Sequence, residues 1–205
     1  MGLPDYETIR WERRGRVLRL ELNRPDRLNA VNAAMHTELA RVFADAAEDR
    51  GSDVIVLTGA GRAFCAGGDL DWQQSAIDDP LSFELTATEA KKIVFSLLDC
   101  EKPVIARVNG PAVGLGCTLA LFCDVIFAAE DAVISDPHVK VGMVAGDGGA
   151  VIWPQLIGYA RAKEFLMTGD KLTGAQAAAM GLVNHALPAA ELDAAVDAFA
   201  DRLAG

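Results

Sequence analysis

Few residue types of diagnostic value are abundant in this chain. Aromatic residues make up only 6% of its 205 residues, and histidine occurs three times. The four cysteines, Cys65, Cys100, Cys117 and Cys123, show no CxxC spacing, and none pairs with a histidine at zinc-ligand spacing. No metal site is expected, and buried free thiols in a reducing cytoplasm are the expected state of the cysteines. No apolar run approaches the ~20 residues that a membrane span needs. The opening MGLPDYETIRWERR has no apolar segment behind a basic end, so secretion is not expected either. Lysine and arginine total 19 against 29 acidic residues, a net charge of −10 with no long basic run. Nucleic acid binding would be electrostatically uphill. An anionic ligand would need a local group of cations. Arg24 and Arg27 in NRPDRLN could form one, or could lie on a solvated turn.

What is present is a chain that is 51% hydrophobic, enough for one globular domain with its own core. VLRLEL, Val17–Leu22, alternates as a strand with one covered face, and YETIRW across ERRGR is its hairpin partner. Residues 32–48 change period, with Met35, Leu39, Val42, Phe43 and Ala46 on one helical face. VIVLTG is apolar throughout, the mark of a strand covered on both faces. Further along come a helix over 81–98, a strand at VIARV, an apolar helix over 114–122 and short strands at 125–128 and 132–134. Helical patterns then dominate at 151–156, 160–167 and 175–180, with VNHA as a final strand. The end carries Leu192, Val196, Phe199 and Leu203 on one stripe. Alternating strands and helices indicate an α/β domain.

Two glycine-rich turns stand out. GRAFCAGGDL follows the strand VIVLT, and NGPAVGLGCTLAL follows the strand VIARV. Both lie at the carboxyl end of a buried strand, where open α/β sheets bind ligands. Gly114 and Gly116 flank a helix start whose N–H groups lack partners inside the helix. Two such turns side by side can each offer one N–H to the same oxygen, forming an oxyanion hole; close helix–strand packing is the alternative use of the glycines. Neither turn is a GxGxxG opening a first βαβ unit or a phosphate loop with lysine, which disfavours nucleotide binding in those modes.

These pieces, with LNRPDRLNAVN before them, SDPHVKVGMVAGDGG between and MTGDKLTGAQAAAMGLVNHAL after them, resemble the crotonase (enoyl-CoA hydratase/isomerase) superfamily. The resemblance implies a crotonase-like α/β fold of repeated ββα units, with an acyl-CoA-binding core over residues 1–187 and a helical C-terminal part over 188–205. It implies an acyl-CoA thioester as ligand, with no separate cofactor because coenzyme A is part of the substrate. A cytoplasmic homotrimer or dimer of trimers is further implied. Carried over by position, the oxyanion N–H groups fall on Gly68 and Leu115. Arg27, Leu28, Ala30, Ala66, Gly67, Gly68, Asp69 and Leu70 line the CoA groove, joined by Gly114, Thr118 and Pro137. Asp69 is expected to fix its turn, since an anion beside a developing enolate would oppose it.

Members that hydrate enoyl-CoA use two glutamates, and this chain has Thr118 and His138 at those positions. A threonine hydroxyl is too weak an acid and base near neutral pH to replace a carboxylate. His138 can do acid–base work, and Asp147 in VAGDGG is the next candidate, with a turn or helix-cap role as its alternative. Asp136 is a weaker third. Enoyl-CoA hydration is therefore the nominal activity, with one-base double-bond isomerisation and a non-catalytic acyl-CoA-binding subunit as alternatives. Trp72 and Phe83 either line the acyl pocket or are core. The chain is short for the family by a pair of C-terminal helices. If these are absent, the Leu192–Leu203 stripe is expected on a neighbouring copy.

Overall fold

The computed structural model describes residues 3–205, apart from the side chains of residues 76, 77 and 80–83. Strands β1 (Ile9–Arg14) and β2 (Val17–Leu22) pair as an antiparallel hairpin as expected, but residues 12–14 of ERRGR continue the first strand and only Gly15 and Arg16 form the turn. Leu18, Leu20 and Leu22 of β2 are fully buried, as the alternation required. Helix α1 (Ala33–Glu48) begins where the Asn32 side chain accepts the Met35 N–H at 3.0 Å. Its buried residues include Met35, Leu39, Val42, Phe43 and Ala46, the face read from the sequence. Strand β3 (Val54–Gly59) is buried at every position because it lies parallel between β2 and β4 (Val104–Val108).

Between β3 and β4 run α2 (Leu70–Asp78) and α3 (Pro80–Leu98), the latter packed along α1. Helix α2 has no apolar stripe to announce it; its start is set by Asp69, whose carboxylate accepts the Asp71 N–H at 3.2 Å. Next come β5 (Ala112–Val113), α4 (Leu115–Leu121), β6 (Val125–Ala129) and β7 (Val133–Ser135). Helix α5 (Gly149–Thr168) breaks at Gly158, whose φ of 78° and ψ of 160° are not helical. That break explains why the sequence shows two helical patterns, 151–156 and 160–167. The chain closes with β8 (Leu172–Thr173), α6 (Gly174–Ala179), β9 (His185–Leu187) and α7 (Ala189–Ala204).

Six strands form one sheet in the order β1-β2-β3-β4-β6-β9, and β5, β7 and β8 form a second. From β2 to β9 every neighbour in the large sheet is parallel, so the turns after β3 and β4 leave the same edge side by side. The terminal helix corrects one expectation. Leu192, Val196 and Ala200 are buried, and α7 lies over β2, β3, β4 and β6 of its own chain, with Phe199 against Phe127 at 5.5 Å. Its apolar stripe therefore covers the sheet rather than a neighbouring copy, because the parallel strands need a helical layer on that face. No helix among the described residues is long and apolar enough to cross a membrane.

One buried residue ties the first turn to the hairpin. Asn29 has no exposed surface and a φ of 56°. Its amide donates to the carbonyls of Ala60 and Ala63 at 2.9 Å each, and its oxygen accepts the Arg24 N–H at 2.9 Å. Asparagine tolerates this left-handed backbone, and only a side chain with both donor and acceptor serves all three groups. Asn29→Ala is expected to destabilise the protein by about 2–4 kcal/mol in urea unfolding, since each orphaned buried group costs roughly 1–3 kcal/mol. A loss below about 1 kcal/mol would contradict this account.

Candidate functional site

The turns after β3 and β4 are stitched together by backbone. Phe64 and Cys65 both donate to the Pro111 carbonyl, at 3.1 and 2.9 Å, and Val113 donates back to the Cys65 carbonyl at 2.9 Å. Such close approach requires bare backbone. A Cβ on Gly116 would stand 2.3 Å from the Cys65 carbonyl oxygen. A Cβ on Gly67, where φ is +87°, would stand 2.7 Å from the Val113 oxygen. Both uses weighed for the glycines coexist: they permit close packing, and that packing sets two turns beside each other.

Among the described residues, the N–H groups left without a hydrogen bond at this seam include one from each turn. Gly67 O and Asp69 N bond to Val31 at 2.8 and 2.9 Å, so the peptide groups of Gly68 between them face away from that partner. Leu115 opens α4, where the first N–H groups have no intrahelical carbonyl to meet. Among the described residues no acceptor faces the N–H of Gly68 or of Leu115. The two turns touch, since a Cβ built on Gly67 would lie 3.8 Å from the Gly114 Cα.

Three titratable side chains gather beside the second turn. His138 lies in a single 3-10 turn, His138–Val141, that follows Pro137, and its ring edge faces Gly114 (a Cβ there would lie 3.6 Å from Cε1 and 3.9 Å from Nε2). The ring Nδ1 is hydrogen-bonded to Asp136 Oδ1, and Nε2 lies 3.6 Å from Asp147 Oδ2. Asp147 arrives from the loop before α5, held by the Thr118 hydroxyl at 3.2 Å and more weakly by the Gly149 N–H at 3.4 Å. Thr118 thus does not replace a carboxylate but anchors one. The Gly149 contact also preserves part of the helix-start role weighed for Asp147.

Electrostatics act on the two groups in opposite senses, favouring the charged imidazole and disfavouring the charged Asp147 carboxylate. The hydrogen bond to Asp136 raises His138 above its ordinary value; burial opposes this, and the charges of Asp147 and Asp136 add to the rise. Burial raises Asp147 above the usual carboxylate range; His138 pulls it down, Asp136 pushes it up, and the Gly149 and Thr118 bonds favour the anion. Between those two pKa values, imidazolium faces carboxylate. Asp136, His138 and Asp147 each offer a ligand atom within 4.8 Å of the others, the one grouping among the described residues that could hold a metal ion. Here, however, Asp136 Oδ1 and His138 Nδ1 are engaged with each other.

The expected groove segments run side by side: Ala66 N–H bonds to the Leu28 carbonyl at 3.0 Å and Val31 N–H to Gly67. Arg27 and Leu70 are exposed, while Leu28, Ala30, Ala66, Gly68 and Pro137 are half-buried. Asp69 is held by Arg24 at 3.1 Å. Burial alone would raise its pKa, but Arg24 and the Asp71 N–H more than offset that and hold it below the usual range. Asp69 therefore fixes its turn, and Arg24, also bonded to the Ala30 carbonyl, is committed inside the fold. The sequence did not reveal the Arg24–Asp69 pair or the role of Asn29; the only signal was their place in the two turn motifs. Trp72 packs against His36 with its ring tilted, ring centres 5.1 Å apart, and Phe83 lies outside the described side chains.

Residues 12–205 match the family model described as enoyl-CoA hydratase/isomerase. The chain is 36% identical over 194 residues to a probable mitochondrial enoyl-CoA hydratase of Dictyostelium discoideum, spanning 94% of this chain and 68% of that protein. It is 35% identical to a crotonyl-CoA hydratase of Syntrophomonas wolfei, spanning 97% and 76%. The crystal structure of an enoyl-CoA hydratase/isomerase from Mycobacterium paratuberculosis superposes with a TM-score of 0.90 at 40% identity, covering 97% of this chain and 81% of that one. Fold, motifs and relatives agree, and the chain belongs to the enoyl-CoA hydratase/isomerase family with the crotonase fold.

Proposed function

We propose that the protein adds water across the α,β double bond of an enoyl-CoA thioester. The observation that carries this reading is the pairing of His138 with Asp147, 3.6 Å apart, beside the free N–H groups of Gly68 and Leu115. Hydration needs a base for the water and an acid for the α-carbon. At 3.6 Å the two atoms are too far apart to be satisfied by each other, yet close enough to hold one water between them at the apex of a triangle. Asp147 accepts a proton from that water as its oxygen bonds to the β-carbon. The double-bond electrons move to the thioester oxygen, where the Gly68 and Leu115 N–H groups stabilise the enolate. His138 then gives its proton to the α-carbon, which collapses the enolate to the 3-hydroxyacyl thioester. Isomerisation would need only one of the pair, whereas the two groups together match hydration, the activity named for several relatives.

The groove for the CoA arm is assigned to Arg27, Leu28, Ala30, Ala66, Gly67, Asp69 and Leu70, with Gly114, Thr118 and Pro137 at the reacting end. Four free cysteines support a reducing, cytoplasmic setting. Exposed Val139, Val141, Met143 and Val144 of the His138 segment, with Val151, Tyr159 and Met167 of α5, support association into a homotrimer or a dimer of trimers.

Crotonyl-CoA, followed by loss of its conjugated absorbance, tests the reaction. His138→Ala and Asp147→Ala are each expected to lower kcat by roughly 10²–10⁴. No loss with wild type, while a CoA ester still binds, would replace hydration with a binding role. The pH profile of kcat/KM is expected to be a bell. Asp147 must be ionised and its pKa is raised, so the acid limb lies above 3.8. His138 must be protonated and its pKa is also raised, so the alkaline limb lies above 6.5. Gly116→Ala tests the oxyanion site separately. Its Cβ would meet the Cys65 oxygen at 2.3 Å, and the resulting shift of Leu115 should cost roughly 10²–10³ in kcat. A folded Gly116→Ala enzyme with unchanged kcat would remove Leu115 from the mechanism.

A further inference from the structure

We propose that Asp136 is the positioning residue of this site: its buried carboxylate locks the His138 ring so that Nδ1 carries a proton and Nε2 is turned toward Asp147 and the second glycine turn. The inference rests on the reading that His138 supplies a proton, and it assigns the group that makes His138 able to do so.

Geometry carries the argument. Only 1% of the Asp136 side chain is exposed, against 14% for His138. Asp136 Oδ1 receives both the ring Nδ1 and the His138 backbone N–H, the latter at 3.3 Å. The other oxygen, Oδ2, is buried with no hydrogen-bond partner and sits against Gly149, where a Cβ would stand 2.2 Å from it. The carboxylate is therefore fixed on one side by imidazole and on the other by bare backbone. Among the described residues His138 is its only ion-pair partner. A carboxylate this deep is costly unless a cation faces it, so burial of Asp136 and protonation of His138 favour each other.

The groups facing His138 come from several elements. Asp136 lies between β7 and the 3-10 turn, and Asp147 lies before α5. The Cys117 thiol of α4, near both carboxylates, is raised well above its ordinary value, first by burial and then by those charges, and so stays neutral. Lys140, on the same turn as His138, lays its stem against Gly169, a Cβ on which would be 2.9 Å from Lys140 Cε. The cation that balances the two carboxylates is thus His138 itself, and Asp136 is the partner in hydrogen-bond contact with it.

The test removes the charge while keeping the shape. In Asp136→Asn, the NMR titration of the His138 imidazole, identified by its absence in His138→Gln, is expected to move to lower pH. The alkaline limb of the kcat/KM profile should move with it. In the same variant kcat should fall by roughly 10–100-fold, the scale of loss when the outer partner of a metal-bound histidine is removed, with KM little changed. Gly149→Ala keeps the charge but displaces Oδ2, and it should likewise move the His138 titration to lower pH, the readout that serves if Asp136→Asn does not fold. An unchanged His138 titration in Asp136→Asn would overturn the proposal, even if kcat fell, because a merely structural residue could produce that fall. A His138 titration that shifts in a protein inactive on every enoyl-CoA would leave the positioning role standing and remove hydration instead.

Discussion

The site depends on two stretches of backbone meeting without side chains between them. Parallel neighbours β3 and β4 end at the same edge, and their turns exchange hydrogen bonds through Phe64, Cys65, Pro111 and Val113. Glycine at 67 and 116 is a steric condition of that contact, since a methyl at either position would overlap a carbonyl oxygen. Everything else is arranged around this seam. Asn29 holds the first turn to the hairpin, Arg24 and Asp69 set the start of α2, and α4 begins at the second turn. The free N–H groups of Gly68 and Leu115 are consequences of the seam rather than separate features.

The proposed acid–base pair is attached to the same seam by longer routes. Thr118, on the helix that the second turn opens, would be inert as an acid or base, but its hydroxyl holds a carboxylate supplied by a loop that is distant in sequence. His138 comes from the strand-end segment behind it. A carboxylate paired with an imidazole differs in kind from two carboxylates. Two like groups close together split their pKa values by repulsion, whereas a carboxylate and an imidazole hold opposite charges over a window of pH and stabilise each other there. The order Asp136–His138–Asp147 also keeps the two anions on opposite nitrogens of one ring, which limits their mutual repulsion.

Much of this was legible in the sequence, and what was hidden has a physical reason. The all-apolar VIVLTG gave the central strand, and the glycines after two such strands gave the paired turns, because both signals are local. His138 and Asp147 stood out as titratable residues in glycine- and proline-rich segments. That they meet was not readable, since it depends on how a 3-10 turn and a loop fold back over α4. Asp136 looked like a lesser acidic residue for the same reason: its depth and its contact with Gly149 are properties of packing, not of spacing. Arg24 looked like a cation for a ligand, but tertiary structure gave it to Asp69. The terminal stripe was visible as an apolar face, but a helical period does not say which surface it covers.

One step of the proposed cycle is constrained by the distances. In the proposed hydration, Asp147 ends with the proton of the water and His138 without its own, so the pair must reset before another turnover. The 3.6 Å between Oδ2 and Nε2 exceeds a direct hydrogen bond, and the proton must pass through a small movement or an intervening water. The anchors decide which partner can move. Asp136 and the turn after Pro137 fix the imidazole, whereas Asp147 is tethered by one oxygen to Thr118 and Gly149 with Oδ2 left unpartnered. The less tethered end of the proposed relay is therefore the carboxylate. Asp136, by raising His138, favours return of the proton to the ring, whereas burial, by raising Asp147, opposes it.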